Sequence, residues 1–138
     1  MSDPIAPFLG AWILDIEASD FEQGEPPLSG SYRIEAADFG LTFHMRWIDA
    51  NGKEEAVSFT GMPGTRDERL KQSGLADALA LYLETGGGLV SEARREGKVI
   101  MRAVRRLADN GATLIIEQTV HLPDDTSTTN TMVYRRAQ

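Results

Sequence analysis

Leu41-Thr42-Phe43-His44-Met45-Arg46-Trp47 decides how this chain folds. Leu41, Phe43, Met45 and Trp47 recur at every second position, while Thr42, His44 and Arg46 fill the positions between. A period of two places one set on each face of a half-buried strand. Asp49-Ala50-Asn51-Gly52-Lys53 follows, and Asn-Gly between alternating segments is a strong hairpin signal. Glu55 to Thr60 then reads as the returning strand.

The same grammar extends in both directions. Upstream, Leu9 to Glu17 and Ser31 to Ala36 read as strands, separated by the turn chemistry of Ser19 to Pro27. Ser19 and Glu22 have capping-box spacing, which leaves room for one helical turn there. Downstream, Ala76 to Glu84, Leu89 to Arg95, Val99 to Leu107, Leu114 to His121 and Asn130 to Arg136 complete the series. Glu96-Gly97, Asp109-Asn110-Gly111 and Pro123-Asp124-Asp125 supply the turns. Thr65 to Gly74 is open between a short capped helix and a charged loop. About nine strands joined by hairpins predict an all-β protein, an antiparallel up-and-down β-barrel.

Composition narrows the function. The 138 residues form a single domain, 1–138, with no linker or low-complexity break. The net charge of −7 opposes binding to a phosphate backbone, so no nucleic-acid partner is expected. There is no cysteine, which removes disulfides, thiolate catalysis and thiolate metal sites. No apolar run reaches the ~20 residues of a membrane helix, and the start of the chain lacks a signal-peptide pattern. The expectation is a cytoplasmic protein without membrane insertion.

Several motifs together resemble a known group. Gly10-Ala11-Trp12 opens the first strand, and Ser19-Asp20-Phe21 precedes Gly24 and Pro26-Pro27. Gly40-Leu41 starts a strand, Asp49 to Lys53 and Gly97-Lys98 are hairpins, and Val133-Tyr134 lies near the end. This pattern is similar to small bacterial lipocalin-like proteins of undetermined function, within the calycin group, and more distantly to fatty-acid-binding proteins. The resemblance implies a lipocalin-like barrel that holds a small hydrophobic or amphipathic molecule without catalysis. It also implies that Trp12 closes one end of the barrel beneath a C-terminal arginine. Many fatty-acid-binding proteins hold a carboxylate with an Arg-x-Tyr clamp on the last strand. Here the matching positions are Met132 and Tyr134, which implies that neutral guests bind at least as well as fatty acids.

The expected ligand-binding residues are Tyr32, Phe43, Met45, Trp47, Met101, Met132 and Tyr134. Phe43, Met45 and Trp47 supply an apolar stripe, and the methionines add adaptable surface. Tyr32 and Tyr134 supply polar handles. Arg94, Arg95, Arg102, Arg105 and Arg106 cluster in one hairpin, and alternation leaves open whether one of each pair points inward as an anion anchor. Otherwise they form a solvated face with Glu92, Glu96 and Glu117. His44 should point outward, and His121 precedes a turn. Neither spacing suggests a metal site, and no cofactor is expected. No catalytic set stands out. The remaining alternatives are a barrel enzyme acting on a small hydrophobic substrate through Tyr and Arg, or a filled, partner-binding domain.

Overall fold

A computed structural model describes residues 5–22, 24–38, 40–61, 65–69 and 78–137, with only the backbone described at 65–69 and 78. The strands are β1 (Gly10–Phe21), β2 (Ser29–Ala37), β3 (Gly40–Ile48), β4 (Glu54–Gly61), β5 (Thr65–Arg69), β6 (Ala78–Leu83), β7 (Leu89–Arg95), β8 (Lys98–Ala108), β9 (Thr113–His121) and β10 (Ser127–Arg136). They form one antiparallel sheet in the order β4-β3-β2-β1-β10-β9-β8-β7-β6-β5. Each strand pairs with its neighbour in sequence except β4 with β5, and β1 pairs with β10, where the ends of the chain meet. That is an up-and-down barrel, nearly closed, with its seam between β4 and β5.

Gly61, at the end of β4, shows how the seam draws in. A Cβ on Gly61 would stand 3.3 Å from Leu81 Cδ2 and 3.5 Å from Leu79 Cδ2, so the bare backbone of Gly61 lets β4 lie close against the leucines of β6.

Two segments differ from the sequence reading. Thr65–Arg69 is neither a capped helix nor a loop but the strand β5, paired with β6. A ladder partner outweighs a weak capping signal; residues 70–74 of that reading lie outside the described residues. The first strand also runs past Glu17 to Phe21. Asp15 pairs with Val133 and Asp20 with Thr131, so β1 carries a large bulge opposite Met132. Inside it, the Val133 amide donates to Ser19 Oγ at 2.8 Å, and Ser19 Oγ donates to the Asp15 carbonyl at 2.7 Å. Ser19 therefore serves the sheet rather than a helical turn. The strand reading of Ala76 to Glu84 matches β6, with 76 and 77 outside the described residues.

One end of the barrel is solid. The 3₁₀ turn Ala6–Phe8 lies against it, and Phe8, Trp12, Ile34, Leu41, Phe43, Leu89 and Leu114 are all buried in a common cluster. Trp12 is fully buried and its Nε1 donates to the Phe8 carbonyl at 3.1 Å. The Arg136 guanidinium sits 4.1 Å over the Trp12 ring, as the resemblance implies. Arg136 also donates to the carbonyls of Pro7, Leu9 and Gly111 at 2.7, 2.9 and 3.1 Å. One side chain thus ties the N-terminal turn and the β8–β9 connection to the closed end. Gly10 has φ +121, and a Cβ there would lie 3.0 Å from Arg136 Nη1. The Gly-x-Trp pattern is therefore the footprint of this latch.

Candidate ligand cavity

The strands that fill one end of the barrel leave the other open. β8 shows the change along a single inward face: Leu107, then Arg105, then Ala103 and Met101. Their partners step in parallel, with Leu107 opposite Leu114, Arg105 opposite Ile116 and Ala103 opposite Gln118. Leu107 and Leu114 pack in or against the closed-end cluster. Above them a cavity of about 570 Å³ opens, lined by Ala93, Met101, Ala103, Ile116, Met132, Met45, Trp47, Phe59 and Leu79 among others. Small side chains at Ala93, Ala103 and Gly30 leave the volume that larger ones would fill. The mouth reaches Phe21, Glu25, Pro27, Asp49 and Val57. Val57 lines the cavity yet is 47% exposed, so the wall is open to water beside β4.

Of the residues expected to meet a ligand, Tyr32, Met45, Trp47, Met101, Met132 and Tyr134 all line this cavity. Phe43 does not. It is fully exposure-free, stacked on Phe59 with ring centroids 4.6 Å apart, and lies beneath the Arg105 guanidinium at 4.6 Å. It faces inward as its alternation requires, but one layer too deep, and Phe59 on the adjacent strand takes the place in the wall.

The floor of the cavity is polar. Arg105 is 2% exposed. Its Nε donates to Tyr32 Oη at 2.9 Å, its Nη2 to Ser91 Oγ at 3.0 Å, and its Nη1 to the Leu89 carbonyl at 3.4 Å. These acceptors are neutral, and among the described residues no carboxylate reaches Arg105. A guanidinium stays charged in any protein environment, and burying it without a counter-charge costs several kcal/mol per ion, on the order set by desolvation. Hydrogen-bond dipoles and the Phe43 ring face offset part of that cost, but they leave a net positive charge facing a cavity. Tyr134 lies beside Tyr32 with ring centroids 5.5 Å apart. Burial is the largest cause that pushes the Tyr134 hydroxyl pKa well above its ordinary value, with the neighbouring Tyr32 adding to it and Arg105 opposing. Tyr134 is therefore a neutral donor at any ordinary pH.

The other arginines of the hairpin face out. Arg106 meets Glu84 at 2.7 Å, Arg102 meets Glu84 and Glu92 at 3.6 and 3.5 Å, and Arg94 meets Glu92 at 2.9 Å. Of the cluster, Arg105 thus turns inward, while Arg94, Arg102 and Arg106 pair with glutamates on the outside. His44 lies on the outer face, its Nδ1 2.9 Å from Ser58 Oγ, and His121 is exposed at the end of β9. Among the described residues no group of His, Asp or Glu could hold a metal ion, and no helix is long and apolar enough to cross a membrane.

Sequence reasoning left open which arginine turns inward and passed over Ser91, Gln118 and Phe59. The signal for Arg105 was present: it shares parity with Met101, which was assigned inward. Gln118 likewise shares parity with Leu114 and Ile116.

The architecture has solved counterparts. The chain is similar to zebrafish ileal bile acid-binding protein complexed with cholic acid, at 13% identity and TM-score 0.60, over 95% of this chain and 99% of that one. It is also similar to a Schistosoma mansoni fatty acid binding protein in complex with arachidonic acid, at 15% identity and TM-score 0.62, over 99% and 100% of the two chains. No protein-family model matches the sequence, and no curated protein matches it. Likeness at this identity carries the fold alone: the chain has the antiparallel up-and-down β-barrel fold of these proteins.

Proposed function

We propose that this barrel is a non-catalytic carrier of a small amphipathic acid, its head group at Arg105 and its apolar body in the open half. The observation that carries the reading is the buried guanidinium, without a carboxylate, on the floor of a cavity of about 570 Å³. An anionic head would supply the missing counter-charge through charge-assisted hydrogen bonds. The Tyr32 hydroxyl accepts from Arg105 and so keeps its own proton to donate, and among the described residues the Tyr134 hydroxyl donates only to Met132 Sδ at 3.9 Å. Both stand ready to bind the same oxygen atoms. The apolar wall with three methionines suits a flexible guest. The two solved barrels of this fold named above are themselves complexed with acids.

This reading changes one expectation drawn from sequence. The clamp position on the last strand is Met132, but β8 supplies a guanidinium in its place, so acids should outbind neutral guests. Titrating the protein with a long-chain fatty acid and with its methyl ester tests this. A hydrogen bond to a charged group is worth about 1.5–3 kcal/mol, so the acid should bind roughly 10- to 100-fold tighter. Equal binding of acid and ester removes the anion site, and failure of both to bind removes the carrier reading.

A further inference from the structure

The upper cavity wall holds a second polar group that the head-group site does not use. Gln118 is half-buried and lines the cavity. Its Nε2 lies 3.1 Å from Met101 Sδ, and among the described residues that thioether is its only hydrogen-bond partner. A thioether is a weak acceptor, so an amide with the capacity for up to four hydrogen bonds is left largely unused on a partly desolvated wall. Gln118 sits opposite Ala103, whose small side chain leaves the space before it open. It stands two residues further along β9 than Ile116, the partner of Arg105, which is ~7 Å up the barrel at the rise of an antiparallel strand. At the level of Arg105 the neighbouring wall is apolar, formed by Ile116 and Met132. The cavity thus presents a cation flanked by apolar side chains at its floor and a neutral amide at the next inward level of β9.

Resting on the carrier reading above, we infer that Gln118 selects ligands with an uncharged hydrogen-bonding group, a hydroxyl, on the apolar body of the acid. A hydroxyl donates and accepts, so it satisfies either end of the amide. A second carboxylate fits less well, because Glu25 and Asp49 line the mouth above Gln118.

The test is a set of saturated long-chain acids identical but for one hydroxyl, placed near the head, at mid-chain or at the tail, with the unsubstituted acid and the matching diacid. Binding of each is measured to the parent protein and to Gln118→Leu. One added hydrogen bond is worth roughly 3- to 10-fold in affinity. The mid-chain hydroxy acid should exceed the unsubstituted acid by that factor, and Gln118→Leu should equalise the two by weakening only the hydroxy acid. The diacid should bind more weakly than the hydroxy acid. If Gln118→Leu does not fold, Gln118→Met, which keeps the length of the side chain, should give the same result. If the unsubstituted acid binds but no hydroxyl position is preferred, if the preference survives both substitutions, or if the diacid binds tightest, this inference is overturned and the carrier reading stands. If no acid binds the parent protein, both fall together.

Discussion

The two halves of this barrel are built from the same strands by opposite rules. In the closed half, large apolar side chains fill the interior, and Trp12, Phe8, Phe43, Leu89 and Leu114 are buried together. In the open half, the same strands offer Gly30, Ala93, Ala103 and Ser91, together with amide and thioether groups. The first half stabilises the fold through burial at about 25 cal/mol per Å² of apolar surface. The second half forgoes that stabilisation and keeps a cavity instead. Arg105 marks the boundary, with Phe43 below it and the cavity above. Stability and binding are thereby assigned to different lengths of the same strand, so substitutions should separate them.

The largest expected effect lies at the closed end. Trp12→Ala should cost about 3–5 kcal/mol in denaturant unfolding, because a large ring leaves a cavity among rigid neighbours. Trp47→Ala should cost under about 1.5 kcal/mol, since that half-buried ring already borders open volume. Comparable losses at the two tryptophans would erase the distinction between the halves. Next in size is the latch. Arg136→Ala should cost about 1–2 kcal/mol by removing the stack on Trp12 and the three bonds to carbonyls. Ligand affinity should be unchanged, because Arg136 is remote from the cavity; a loss of affinity without a loss of stability would break the partition.

The smallest effect is a pH dependence. Burial raises the pKa of Tyr134 in the folded protein above its unfolded value near 10, so the folded state favours the neutral phenol. That contribution is fully present below about pH 10 and is lost as pH rises further, since the unfolded chain ionises first. Unfolding free energy should therefore fall above about pH 10, and Tyr134→Phe should flatten the decline. A decline of the same steepness in Tyr134→Phe would contradict the burial assigned to this hydroxyl.

The halves were not equally legible in the sequence. Period-two alternation reads a strand wherever apolar and polar residues take turns, and it recovered β3, β9 and β10 with their turns. It recovered β5 least, because Thr65-Arg66-Asp67-Glu68-Arg69 has no apolar face and is held as a strand by its ladder to β6. Trp12 was legible through the resemblance that its Gly-x-Trp pattern carries, and the structure supplies the physical reason, the close approach of Arg136 to Gly10. The depth of a residue was not legible. Phe43 and Met45 have the same parity and differ only in height along the barrel axis, and height is fixed by register with β2 and β4. The inward arginine was legible in principle, although the sequence reading left it open. Parity with Met101 and Leu107 selects Arg105 over Arg106, but a charged residue in the interior runs against the usual rule that charges stay solvated unless paired.

That arginine offers the most direct test. Arg105→Met replaces the buried cation with an apolar side chain of similar length, and both thermal unfolding and fatty-acid affinity are measured on the same variant. Replacing a buried charge by a packed apolar group is commonly neutral or stabilising. The account expects a melting temperature equal to or above the parent's, with acid affinity reduced at least about tenfold and methyl-ester affinity retained. A lowered melting temperature with undiminished preference for the acid would contradict it, and would make Arg105 a brace between β2 and β7 rather than the floor of a binding site.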